Sequence, residues 1–243
     1  MIEFAAPGLR YPDTVMSSKV KVLLFPWDAE SAIHRRSLYN QRVQCNWDHE
    51  KVEKEWREQQ IKGEKCMYWI VRQSDLGNAK TPNVNKEVLY DTARSVNGMT
   101  RGASQVAFVP IGHISLDPWN KDAERLGIDL PSEGVFWIKS FFILQSLQGG
   151  GIGRAAMDAV EDMAAREPLW AQTLMLDTVT KAHQTREDFA LSTYGSIPKI
   201  TNEAWYSRRG YEPVITVPNY YDVWDGNGNR WDIEIVFMRK DIQ

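Results

Sequence analysis

The stretch Val135 to Arg166, VFWIKSFFILQSLQGGGIGRAAMDAVEDMAAR, passes from an apolar run through a glycine cluster into a periodic segment. Its first part, Val135 to Leu144, is rich in β-branched and aromatic residues, which is typical of a strand buried on both faces. From Ile152 onward, apolar residues recur at the spacing of one helix face and charged residues occupy the other. The stretch therefore predicts a strand, a glycine loop and a helix in direct succession.

Four glycines in five residues join the predicted strand to the helix, within the sequence Gln148-Gly149-Gly150-Gly151-Ile152-Gly153-Arg154. Ordering these glycines costs backbone entropy, so we expect them to serve unusual backbone angles or the close approach of a ligand. A helix N-terminus offers unpaired N–H groups and the positive end of the helix dipole, which suit a phosphate. We interpret the loop as a phosphate-binding site to which Arg154 adds a positive charge.

Two nucleotide-binding patterns can be compared with this loop. The Walker A motif does not fit, because no Gly-Lys-Ser/Thr follows the glycines. The dinucleotide fingerprint G-x-G-x-x-A is matched by Gly151, Gly153 and Ala156, with Asp177 at the end of the next apolar run. That fold usually builds several further βαβ units after the loop, and the remaining sequence does not offer them. Motif alone leaves NAD binding open.

A third pattern resembles the Gcn5-related N-acetyltransferase (GNAT) family. The coenzyme A loop of that family, Arg/Gln-x-x-Gly-x-Gly/Ala, is matched at Gln148, Gly151 and Gly153. About fifty residues later, Tyr206 to Tyr211 resembles the family's Tyr-x-x-x-Gly-Phe ending. The family's usual proline after the strand is Gln145 here. Two matches in the expected order are more specific than one.

The resemblance implies an α/β (α+β) fold, with a mixed, mostly antiparallel sheet of six to seven strands flanked by about four helices. It also implies transfer of an acetyl group from acetyl-CoA, as co-substrate, to a primary amine by direct transfer in a ternary complex. Tyr206 would protonate the departing thiolate. The expected coenzyme A contacts are the end of the strand and the loop: Phe142, Ile143, Leu144, Gln148, Gly149, Gly150, Gly151, Ile152, Gly153 and Arg154.

Along the chain, we expect an N-terminal extension (1–18) and a single domain (19–243) with insertions near 73–104 and 180–200. Strands are predicted at Lys19–Phe25, Lys65–Arg72, Gln105–Leu116, Gln172–Val179, Tyr211–Val217 and Trp231–Arg239. Helices are predicted from Ala29 to about Arg42, at His49–Ile61, briefly near Val88–Arg94, and at Thr201–Arg209. A turn-rich connection is predicted at 225–229.

Composition limits the possible partners and location. The net charge of −3 and the scattered basic residues give no sign of a nucleic-acid surface. No apolar run is long enough to cross a bilayer, so we expect no membrane partner and a cytoplasmic or nuclear location. Cys45 and Cys66 stand in unrelated contexts, as reduced packing residues do. The four histidines show no ligand spacing, so no metal is predicted.

A base is needed because an alkylamine, with a pKa near 10.4, is mostly protonated at neutral pH. Glu133, just before the Val135 strand, stands where many GNAT members have a carboxylate, and we predict it as the base. Asp117 and Asp177 at strand ends are alternatives, and His113 is a further one. The family has no fixed motif for this residue.

The acceptor is predicted to be the primary amine of a small molecule, because the two insertions would narrow an open groove into a pocket. A peptide or protein acceptor, reacting at an N-terminus or lysine, stays open, as does a non-catalytic coenzyme A-binding module. Trp119, Trp137 or Trp205 could line a pocket for an apolar amine. A monomer or homodimer is expected.

Overall fold

The computed structural model describes residues 20–76, 87–123, 125–224, 228 and 230–242. The predicted N-terminal extension (1–18) therefore lies outside the described residues. So do residues 77–86 of the first insertion and most of the predicted turn at 225–229.

A seven-stranded sheet forms the centre of the domain. Its strands in chain order are β1 Val22–Pro26, β2 Met67–Arg72, β3 Gly112–Asp117, β4 Val135–Ile143, β5 Thr173–Val179, β6 Glu212–Pro218 and β7 Glu234–Asp241. Their order across the sheet is β1-β2-β3-β4-β5-β7-β6. Strands β4 and β5 are parallel, because α3 carries the chain between them, and the other neighbours are antiparallel.

Six α-helices lie within the described residues: α1 Ala32–Cys45, α2 Arg57–Lys62, α3 Ile152–Ala164, α4 Lys181–Gln184, α5 Glu187–Tyr194 and α6 Asn202–Ser207. A π-helical turn at Val52–Trp56 leads into α2. Helix α2 ends at Gly63, whose φ of 75° is the left-handed geometry that glycine accepts most easily. None of the described helices is both long and apolar enough to cross a bilayer.

Both faces of the sheet are covered. Helix α3 packs across one face from β4 to β1, where its buried stripe of Ile152, Ala156 and Val160 meets the apolar side chains of the strands. The other face carries α1 and α2 over β2, and a second apolar cluster with Phe189 of α5 lies over β4, β5 and β7. The mixed, mostly antiparallel sheet predicted from the sequence is confirmed, with six helices in place of about four.

The first insertion departs from its prediction. Residues expected to form a short helix near Val88–Arg94 form instead a strand, Leu89–Tyr90, paired with Ala107–Phe108. A tertiary ion pair accounts for this, because Arg101 donates to both oxygens of the buried Asp91 at 2.7 and 2.8 Å and draws the segment back on itself. Two further ribbons pair Ser95–Val96 with Met99–Thr100 and Val223–Trp224 with Arg230–Trp231.

Candidate active site

Strands β4 and β5 separate halfway along their length. They pair only from Val135 with Thr173 to Ile138 with Leu176. Beyond Ile138, β4 continues to pair with β3, whereas Asp177 to Val179 of β5 pair with β7. The facing edges therefore leave main-chain N–H and C=O groups without a strand partner. We call this opening the β4–β5 gap.

A bulge in β4 begins the separation. Ser140 has a φ of 51°, in the left-handed region that serine rarely adopts. The register against β3 shifts at the same place, because Lys139 pairs with Ser115 whereas Phe142 pairs with His113. An extra residue on one strand bends that strand away from its old course. The bulge thus directs the end of β4 away from β5.

The glycine loop follows directly. Its backbone takes positive φ angles at Gly149 (84°) and Gly151 (80°), which explains the need for glycine at both. The Gln148 side chain donates from Nε2 to the carbonyl oxygen of Ile143 at 2.9 Å and so ties the loop to the end of β4. Helix α3 then begins at Ile152, as its periodicity predicts.

The N–H groups of six consecutive residues, from Gly149 to Arg154, have no acceptor among the described residues. These groups stand at the positive end of the dipole of a 13-residue helix. The exposed Arg154 has no carboxylate within ion-pair distance in the described part of the chain. Together they fit a phosphate or pyrophosphate.

Tyr206 lies on α6, which begins at Thr201 with a side-chain cap accepting from the N–H of Ala204. The Tyr206 ring packs edge-on against Trp205, whose own ring stacks on Phe141 of β4 at 6.3 Å. Burial, and then the charge of Asp177, raise the pKa of the Tyr206 phenol. The phenol is therefore protonated at neutral pH.

An ion-pair network fixes α6 relative to α3. Glu161 of α3 accepts from Arg209 at 3.1 Å, from the hydroxyl of Tyr211 at 3.2 Å and from Lys240 at 2.7 Å. Arg209 also reaches Asp158 at 2.7 Å. This network holds the glycine loop, at the start of α3, and Tyr206 on α6 in one arrangement.

Asp177 is a carboxylate whose charge acts on Tyr206. It lies on β5 one residue beyond the last pair with β4, and burial raises its pKa. The Tyr221 hydroxyl donates to its Oδ2 at 2.8 Å, and the Tyr221 ring meets Trp47 at 6.0 Å. The turn between α1 and α2 therefore meets the segment between β6 and β7 beside Asp177.

Glu133 lies elsewhere. It is exposed and stands before β4, at the end where β4 and β5 still pair. A strand rise of about 3.3 Å per residue places it about 30 Å from Ile143 and the glycine loop. The structure does not bring Glu133 together with the other candidate residues.

The remaining candidates are already engaged or distant. Asp117 is paired with Lys65 at 3.1 Å, and the buried His113 bonds Gln41 at 2.8 Å. Trp137 is buried in the core and Trp119 is exposed, whereas Trp205 stacks on Phe141 beside Gly153. No group of His, Cys, Asp and Glu suited to a metal ion occurs among the described residues.

Sequence reasoning missed Tyr221 and the contacts that hold the bulge. A signal for the bulge exists, since Lys139 and Ser140 interrupt an otherwise apolar strand. The dinucleotide alternative does not agree with the sheet, because that fold is built on a mostly parallel sheet and here one pair of strands is parallel.

Comparisons with known proteins agree with this geometry. A family model described as "Acetyltransferase (GNAT) family" matches residues 92–190. NAA60 of Arabidopsis thaliana, solved with a bisubstrate analogue, is 11% identical, with a TM-score of 0.50 over 92% of this chain and 100% of that chain. A GNAT-family putative acetyltransferase from Desulfovibrio desulfuricans is 10% identical, with a TM-score of 0.50 over 91% and 99%.

The aminoglycoside 6'-N-acetyltransferase of Enterococcus faecium is 14% identical, with a TM-score of 0.49 over 91% and 97% of the two chains. A comparison with curated protein sequences gave no match. The two structures with a TM-score of 0.50 support the fold alone, and the family match covers β3, β4, the glycine loop, α3 and β5. Residues 92–190 thus match the GNAT family of acetyltransferases, and the fold built around them agrees with that match.

Proposed function

We propose that the protein transfers the acetyl group of acetyl-CoA to the primary amine of a small molecule. One observation carries the proposal: the β4–β5 gap opens beside a glycine loop with six unengaged N–H groups. A phosphate-bearing arm bound at the loop can extend along the unpaired edge of β4. There its amide groups would find hydrogen-bond partners in the main chain near Ile143.

The fit of coenzyme A rests on both charge and shape. Its pyrophosphate would receive hydrogen bonds from the loop and a positive charge from Arg154. Gly149 and Gly151 both have positive φ angles, and the space around both α-carbons is open. Main-chain N–H groups at the β4 edge would also polarise the thioester carbonyl.

The chemistry is a direct transfer within a ternary complex. The amine nitrogen forms a bond with the thioester carbonyl carbon, and the carbon–sulfur bond breaks. The amine gives one proton to a base, and Tyr206 gives its proton to the leaving thiolate. Burial raises the pKa of a thiol as it does that of the phenol, so this transfer remains feasible.

Asp177 is the base in this proposal, in place of Glu133. Its position beside the β4–β5 gap supports the assignment, as does the burial that raises its pKa toward the working pH. Its charge also acts on Tyr206, which the proposed mechanism requires to remain protonated until the thiolate departs.

The acceptor is proposed to be small because two loops meet where it would enter. Trp47 and Tyr221 are in ring contact at 6.0 Å, which narrows the approach to Asp177. The described part of the first insertion is held by the Asp91–Arg101 pair. A peptide acceptor would need these two aromatic residues to part.

The test is a thiol-release assay with acetyl-CoA against polyamines, amino acids, arylalkylamines, aminosugars and short peptides with free N-termini. Turnover with one of the small amines is expected, and turnover confined to peptides would overturn the small-molecule assignment. Calorimetry with acetyl-CoA and with NAD accompanies it. Binding of acetyl-CoA without any turnover would instead favour a non-catalytic coenzyme A-binding module.

A further inference from the structure

A buried polar cluster lies directly behind the bulge of β4. It consists of Lys65, Ser115, Asp117 and Ser140, and we call it the bulge cluster. Lys65 Nζ lies 3.1 Å from Asp117 Oδ2, 3.2 Å from Ser115 Oγ and 3.4 Å from Ser140 Oγ. An ammonium group has three N–H donors, and here each has an acceptor. The Lys65 and Asp117 side chains are only 6% and 5% exposed.

The stability of the fold does not by itself explain a buried ion pair between Lys65 and Asp117. Removing two opposite charges from water costs about as much as their attraction returns, and apolar residues of similar volume often serve stability equally well. The ammonium group also lies over an aromatic ring, since Lys65 Nζ is 4.5 Å from the centre of the Trp56 ring. Its partners therefore indicate what the pair does.

Those partners hold both sides of the bulge. Lys65 donates to the hydroxyl oxygen of Ser140, the residue with the unfavourable φ of 51°. Ser115, itself bound to Lys65, donates to the carbonyl oxygen of Lys139 at 3.1 Å. Asp117 anchors the lysine and also accepts the N–H of Cys66 at 2.9 Å, which joins the cluster to the chain entering β2.

We propose that Lys65 and Asp117 are positioning residues that hold Ser140 in its left-handed conformation and thereby keep the β4–β5 gap in the shape that acetyl-CoA requires. Neither residue touches the substrate in this proposal. The kinetic test of this positioning role rests on the proposed function. The conformation of β4 can be measured whether or not the protein is an acetyltransferase.

The first test compares Lys65→Met/Asp117→Asn with the same variant carrying Ser140→Gly. Without the pair, the positive φ of Ser140 loses its support, so KM for acetyl-CoA should rise and kcat/KM should fall roughly tenfold. Glycine adopts that φ without a Cβ penalty, so Ser140→Gly should restore most of the loss. A fall that glycine does not rescue would overturn the proposal, because a merely structural role predicts no such rescue.

Two further variants guard against misfolding. Ser140→Ala removes the hydroxyl anchor without touching a charge and should lower kcat/KM in the same direction. Arg101→Met/Asp91→Asn removes another ion pair, in the first insertion, in which Asp91 is buried and Arg101 is partly exposed, and it should leave KM for acetyl-CoA unchanged. An equal rise of KM in the control would show that loss of an unrelated ion pair has the same effect, and it would overturn the positioning role.

The second test is amide hydrogen exchange of the free protein, followed by mass spectrometry over 139–144. Exchange should be faster in Lys65→Met/Asp117→Asn and slow again with Ser140→Gly. Unchanged exchange in the variant would overturn the positioning role. A wild-type protein that neither binds nor turns over acetyl-CoA would instead overturn the proposed function, and the exchange result would still decide the positioning.

Discussion

The hydroxyl of Tyr221 donates a hydrogen bond of 2.8 Å to Oδ2 of Asp177. This contact ties the segment between β6 and β7 to β5 one residue beyond its last pairing with β4. A hydrogen bond to the charged form stabilises that form, whereas burial acts against it. Tyr221 thus moderates a pKa that burial raises, in a carboxylate that we propose as the catalytic base.

Replacement of Asp177 by Asn should remove the base while keeping the shape of the side chain. We expect kcat/KM to fall by roughly 10²-fold and the rise of activity with pH on its acid side to disappear. Glu133→Gln is the matched comparison, since its carboxylate lies about 30 Å from the end of β4. Loss of activity in Glu133→Gln with retention in Asp177→Asn would reverse the assignment of the base.

Tyr221→Phe should move the acid limb of the pH profile upward. The variant loses a hydrogen bond that lowers the pKa of Asp177, so the carboxylate would need a higher pH to act as a base. The measurement is kcat/KM as a function of pH. Tyr220→Phe is a matched control, because the neighbouring hydroxyl donates to Asp122 at 2.7 Å instead. Equal shifts in Tyr221→Phe and Tyr220→Phe would mean that the pKa of Asp177 does not determine the acid side of the pH profile.

Gly151→Asp should abolish binding of acetyl-CoA. Aspartate at a φ of 80° strains the loop, and its carboxylate would stand where the pyrophosphate is proposed to bind. Calorimetry would measure the loss. Gly195→Asp is the control, since Gly195 also has a positive φ (73°) and open space, but it follows α5. Retained affinity in Gly151→Asp would move the phosphate site away from the loop.

The part of the site that lies close together in sequence was predictable. Within 32 adjacent residues, an apolar run predicts strand β4, a glycine cluster predicts the loop, and helical spacing of apolar residues predicts α3. Each of these signals is local, and the structure confirms all three elements. The helix of Tyr206, predicted to run to Arg209, ends instead at Ser207 with Arg208 as its C-cap.

Contacts between distant segments were not predictable. Lys65 meets Ser140 across 75 positions in sequence, and nothing near either residue indicates the other. The segment near Val88–Arg94 was predicted as a helix and contains a strand instead. The ion pair between Asp91 and Arg101 outweighs the weak helical tendency of this segment. Glu133 was also misplaced by sequence reasoning. Its position before β4 was known, but the sequence does not show that the site lies at the other end of that strand.

Tyr206→Phe removes only the hydroxyl group, so the ring contacts with Trp205 and Tyr211 should persist. Turnover should fall by roughly 10²-fold, because the thiolate then leaves without a proton donor. Affinity for acetyl-CoA, measured by calorimetry, should stay near the wild-type value. Unchanged turnover would remove Tyr206 from the mechanism, and a parallel loss of affinity would assign it to binding.

Two buried histidines should make stability depend on pH. Nδ1 of His34 accepts hydrogen bonds from the indole N–H of Trp69 at 3.1 Å and from the main-chain N–H of Asp28 at 3.2 Å, so it carries no proton. His113 donates from Nδ1 to Gln41 at 2.8 Å and lies beside the buried Arg42. Burial lowers the pKa of both rings, and for His113 the charge of Arg42 lowers it further.

Each pKa is therefore lower in the folded protein than the value of about 6.5 in the unfolded chain. Below about pH 6.5 these two histidines bind more protons in the unfolded chain, so the part of the free energy of unfolding that they contribute should be fully present above about pH 7.5 and fall as the pH drops from 6.5 to 5. Urea titrations at four pH values would measure this fall. His113→Gln should reduce the slope of this fall, because it removes one of the two buried rings. A slope in His113→Gln equal to that of the wild type would mean that a protonated ring is accommodated at His113, against the contacts that fix it as neutral.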